Sequence, residues 1–93
     1  MRVLGIDPGL ALTGYGLVEG DGHLVLVEMG SIVTPSTIPL PERLKVLYQD
    51  LSALLDRLRP DAVAIEELFF GKNVRTAIAV GQARGVAILA VAQ

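Results

Sequence analysis

The chain has 93 residues, 52% of them hydrophobic and 19% charged, with no cysteine, one histidine and a formal net charge of −2. That size allows one small domain over residues 1–93 with a dense apolar core, and the composition excludes a disordered tail. Without cysteine there is neither a disulfide framework nor a thiolate zinc site, a lone His23 cannot build a histidine cluster, and a near-neutral charge speaks against a general electrostatic clamp on nucleic acid.

RVLGID, residues 2–7, is a short apolar run closed by an acid and then by Pro8 and Gly9, so it reads as a buried strand ending in a turn. No charged segment followed by a long apolar stretch opens the chain, which argues against a signal peptide and for the cytoplasm. TGYGLVE, residues 13–19, and HLVLVEMGSIV, residues 23–33, flank the GDGH turn and complete a three-stranded antiparallel meander. After the proline-rich loop at 34–41, Leu44, Leu47, Tyr48, Leu51, Leu54, Leu55 and Leu58 recur at helical spacing, with Pro41 in the first turn and Pro60 as the stop.

DAVAIEE, residues 61–67, reads as a fourth strand. From Val74 onward a second helix follows, with Asn73 as its cap; it is apolar nearly all round and is expected to be a buried core helix, with Gln82 and Arg84 arguing against a membrane span. The order is βββαβα, an α/β fold. Its apolar last helix and open sheet edge suggest that the C-terminal part of a longer chain is missing. A helix between the meander and the fourth strand returns that strand parallel to one already present, and pairing it with the first strand makes Asp7 and Glu66 neighbours at one sheet edge.

Two acids at the ends of buried strands are costly unless paired, protonated or bound to a cation. Mg²⁺ or Mn²⁺ suits them, since such ions take one or two carboxylates together with phosphate oxygens. Two such ions, roughly 3.5 to 4 Å apart, activate a water and stabilise the leaving oxygen of a phosphodiester. The structural alternative stays open: Asp7 opens a turn and Glu66 merely ends a strand. Glycines 5, 9, 14 and 16 match no dinucleotide fingerprint, and GKN at 71–73 is not a P-loop. Gly9 is expected to supply a permissive backbone angle after Pro8.

Of Phe69 and Phe70, one fits an anchor in the core or a dimer interface and the other a ring stacked on an unpaired base, a contact of about 1 to 3 kcal/mol. Lys72 and Arg75 are placed to meet phosphates near the start of the second helix, with a solvated loop as the alternative.

GIDPG at 5–9, TGYG at 13–16, PDAVAIEE at 60–67, Phe69, Lys72 with Asn73, and GQARGVA at 81–87 together resemble the RuvC family of Holliday junction resolvases, which are ribonuclease H-like nucleases. The resemblance implies that Asp7 and Glu66 are catalytic metal-binding carboxylates, while Glu67 is not a ligand. It also implies that Phe69 meets the opened junction and that the second helix contributes to a homodimer. The activity implied is Mg²⁺-dependent phosphodiester hydrolysis that nicks four-way junction DNA in symmetric pairs, in recombination and repair, with a branch-migration motor as a further partner. The family's other acidic ligands lie in a later helix that these 93 residues do not reach, so the chain alone is expected to be inactive or nearly so. Two rival readings are an actin- or Hsp70-like nucleotide-binding domain, which shares a GID-x-G turn, and a catalytically dead dimerisation module.

Overall fold

The computed structural model describes residues 1–67 and 74–93. Its elements are β1 (Arg2–Asp7), β2 (Leu12–Glu19), β3 (Val25–Val33), α1 (Leu40–Leu58), β4 (Ala62–Ile65) and α2 (Val74–Ala92). The sheet order is β3-β2-β1-β4, with β1 antiparallel to β2, β2 antiparallel to β3, and β4 parallel to β1. The crossover through α1 therefore returns β4 beside β1, as the chain order predicts.

Strand alternation divides the sheet into two unlike faces. Leu4, Ile6, Leu17 and Ile32 are buried under the helices together with Leu47, Leu51, Leu54 and Leu58 of α1, and Val63 and Ile65 pack against the same cluster. The opposite face carries Gly5, Gly14, Gly16 and Ala64, flanked by the exposed side chains of Leu12, Leu26, Met29 and Val33. One extra residue in β3, Val27, makes a bulge where the pairing steps from Leu17–Glu28 to Val18–Leu26.

On the helix-facing side Tyr15 lies over Gly30 of the neighbouring strand, where a Cβ would come within 2.8 Å of the phenol oxygen. The Tyr15 hydroxyl donates to Glu28 Oε2 at 2.8 Å, and Arg57 of α1 donates to both Glu28 oxygens at 2.9 and 2.7 Å. This triad ties α1 to the meander.

The α1 helix starts with proline in its first turn and ends at Arg59, which takes a left-handed conformation (φ 47°) and donates its N–H to the Leu55 carbonyl before Pro60. The α2 helix departs from the expected buried core helix. It is long and apolar enough to cross a membrane by length and composition, yet its buried residues are alanines: Ala77, and a stripe of Ala83, Ala87 and Ala90 that joins the core. Val74, Ile78, Ile88 and Leu89 are exposed. Small residues let α2 approach its neighbours closely, with Val86 and Val91 packing beside them against the core. Strand β4 is also shorter than the predicted 61–67, because Asp61 is occupied before the strand and Glu66 and Glu67 have left it.

Candidate active site

Asp7 is the last residue of β1, and Glu66 follows the last residue of β4. Their proximity comes from register: Ile6 pairs with Ile65, and the Glu66 N–H donates to the Ile6 carbonyl at 2.9 Å. Alternation then places both acids on the face opposite the helices, since Ile6 and Ile65 face the core. At the other end of the same strand pair, the Arg2 N–H donates to Asp61 Oδ2 at 2.7 Å and the Asp61 N–H to the Arg2 carbonyl at 2.8 Å.

Both carboxylates are exposed, which corrects the expectation of acids strained by burial. What strains them is each other. Glu66 is raised above its ordinary carboxylate pKa, first by the hydrogen bond it shares with Asp7, then by the like charge of Asp7, and least by burial. Two hard oxygen donors that repel across one sheet edge fit a divalent cation, which would relieve that repulsion. Among the described residues no group of three or more His, Asp or Glu side chains gathers, so the described residues bring two carboxylates to the site.

The acids border a shallow depression of about 550 Å³ whose floor includes Gly5, Gly14, Gly16, Gly30 and Ala64. Small residues leave the backbone of the sheet open to a bulky ligand. Behind Asp7 the turn is held by Thr13, 1% exposed, whose hydroxyl donates to the Gly9 carbonyl at 2.7 Å and accepts from the Gly9 N–H at 3.2 Å. Gly9 is needed here for space: its φ is not positive, as had been expected, but a Cβ would lie 2.2 Å from the Leu12 carbonyl oxygen.

Arg75 is exposed at the start of α2 and lines a recess with Leu10 and Ala11, so it sits beside the turn that follows Asp7. Phe69, Lys72 and Asn73 lie outside the described residues. Sequence reasoning missed Arg84, whose Nε donates to the Glu66 carbonyl at 3.0 Å and anchors the end of β4 from α2. The available signal was that α2 has only two charged residues, Arg75 and Arg84, in an otherwise apolar run.

A four-stranded mixed sheet with helices on one face, and with acids at the ends of two adjacent parallel strands, defines a ribonuclease H-like α/β domain. Residues 3–93 match the family model for crossover junction endodeoxyribonuclease RuvC. The chain belongs to the RuvC family. It is 62% identical to the RuvC of Chloroflexus aurantiacus over 94 aligned positions, covering all of this chain and 57% of that relative. To the RuvC of Thermomicrobium roseum it is 54% identical over 89 positions, covering 96% of this chain and 55% of the other. The structure of Thermus thermophilus RuvC in complex with a Holliday junction substrate superposes with a TM-score of 0.87 at 34% identity, over 98% of this chain and 59% of that one. The chain thus spans somewhat over half the length of the relatives it matches. Membership of this family sets aside the actin- and Hsp70-like reading.

Proposed function

We propose that this chain supplies the Asp7 and Glu66 half of the active site of a structure-selective endonuclease that resolves four-way DNA junctions by metal-dependent phosphodiester hydrolysis. The observation that carries the proposal is the β1–β4 register, which sets two mutually repelling carboxylates side by side above a glycine-lined floor, in a chain of the RuvC family. Asp7 and Glu66 would hold Mg²⁺, or Mn²⁺ in its place, with two ions in the complete site. Such ions supply charge stabilisation to the phosphoryl group and acidify a water.

The chain's own residues bind and orient. The glycine floor admits the sugar–phosphate backbone close to the sheet, Arg84 fixes the peptide that carries Glu66, and Arg75 meets phosphate. Phe69 is assigned to stacking on an unpaired base, and Lys72 with Asn73 to the approach of phosphate. A homodimer built partly on α2 would nick two symmetric strands, because a two-fold junction calls for a two-fold enzyme. A branch-migration motor is the further protein partner, and the cytoplasm is the compartment.

The test is nicking of a synthetic four-way junction, with linear duplex as control, by the natural full-length protein and its Glu66→Gln variant. Paired nicks on the junction, lost in the variant while junction binding persists, are expected. Undiminished cleavage by Glu66→Gln removes Glu66 from the mechanism.

A further inference from the structure

Three of the six arginines are occupied: Arg2 pairs with Glu19, Arg57 with Glu28, and Arg84 donates to the Glu66 carbonyl. Arg43 and Arg75 form no salt bridge among the described residues, and both line one recess of about 380 Å³. Its remaining walls are Leu10 and Ala11 of the β1–β2 turn and Thr76, Ala79 and Val80 of α2.

Arg43 is half-buried and held in place. Its Nε donates to Thr34 Oγ1 at 3.1 Å, and one terminal nitrogen reaches the Thr34 carbonyl at 3.5 Å. Thr34, 3% exposed, in turn donates its hydroxyl to the Leu10 carbonyl and its N–H to the Ala11 carbonyl at 3.1 Å. The Arg43 guanidinium is therefore fixed relative to the turn that leads away from Asp7. A guanidinium carries more N–H donors than these two bonds use. Two guanidinium groups at one partly apolar recess repel each other, and an anion between them turns that repulsion into attraction. The planar fork of arginine fits a phosphate in particular.

We propose that Arg43 and Arg75 form a phosphate subsite for the nucleic-acid backbone, taking a phosphate that flanks the one presented to Asp7 and Glu66. This rests on the reading that the protein acts on DNA. The subsite makes Arg43, from the first turn of α1, a register-setting contact: with one phosphate captured beside the β1–β2 turn, the strand can slide only in steps of a whole nucleotide.

The test uses the full-length protein and three probes: inorganic phosphate, a short single-stranded oligonucleotide and a four-way junction. The Nε–H NMR signals of Arg43 and Arg75 are expected to shift together with the oligonucleotide, while that of Arg59 stays still. Arg43→Gln is expected to weaken junction binding about 5- to 10-fold at low salt and to reduce the salt slope by about one. Arg43→Lys, which keeps a charge, is expected to restore the slope. Junction binding with an unchanged salt slope in Arg43→Gln overturns the subsite and leaves the nuclease reading standing. Shifts with inorganic phosphate but no binding of either DNA overturn the nucleic-acid assignment and the nuclease reading together. A fall in affinity with an unchanged slope and a lowered thermal midpoint shows Arg43 acting only through the fold, and also sinks the subsite.

Discussion

Arg84 carries the plainest prediction at the scale of single residues, because its one described bond holds the peptide on which Glu66 sits. Removing the support of a ligand commonly costs 10- to 100-fold in metal affinity or activity. Arg84→Met in the full-length protein is therefore expected to lower junction cleavage about 10-fold or more, with apparent Mg²⁺ affinity falling in parallel and junction binding little changed. Unaltered Mg²⁺ dependence would show that β4 holds its end without this bond. Asp7 and Glu66 were legible in the sequence because each closes an apolar run, a pattern that survives without coordinates. Arg84, Thr13 and Thr34 were not, since each acts through a hydrogen bond to a backbone group set by folding. Gly9 was legible as a required glycine but for another reason: the demand comes from the Leu12 carbonyl, which no local pattern reveals.

Among the elements, α1 and the meander are joined by the Tyr15–Glu28–Arg57 triad, and this joint is sensitive to acid. The Arg57 guanidinium and the Tyr15 hydroxyl hold the Glu28 carboxyl down to about 2 from an ordinary 4.5. A depressed folded-state value means that the contribution is complete above about 4.5 and fades as pH falls toward about 2. The thermal midpoint should accordingly fall more steeply across that window in the native protein than in Glu28→Gln; parallel curves would assign the acid sensitivity to other groups. Helix α2 makes a second prediction. Ala87 is fully buried in its small-residue stripe, and Ala87→Leu is expected to destabilise by about 1–3 kcal/mol in chemical denaturation, through overpacking. The helices and strands themselves were legible from periodicity and proline placement. Which side of α2 faces inward was not, because an almost uniformly apolar helix carries no amphipathic signal.

For the molecule as a whole, the crossover rule made β4 parallel to a strand already present, and the supposed pairing with β1, which the sheet bears out, brought the two acids together. The sheet's second face was less legible. Its apolar side chains and glycine floor look like ordinary strand residues until the helices are seen to occupy one side only. The donor count makes the whole-molecule prediction. With two carboxylates gathered among the described residues, the 93-residue chain tested alone should cut a synthetic junction in Mg²⁺ far more slowly than the full-length protein. Equal rates would mean that Asp7 and Glu66 suffice.

Strand β4 has four residues and is pinned at both ends, by Asp61 against Arg2 and by Glu66 against Ile6 and Arg84. A strand gripped this way has no slack. One residue inserted or deleted between Asp61 and Glu66 would turn the glutamate to the helix side or detach a clamp, even where the core tolerated the change. The segment should therefore accept exchanges of residue type far more readily than changes of length. Its six positions work as a ruler, and the site depends on the distance they mark off as much as on the acid at the end.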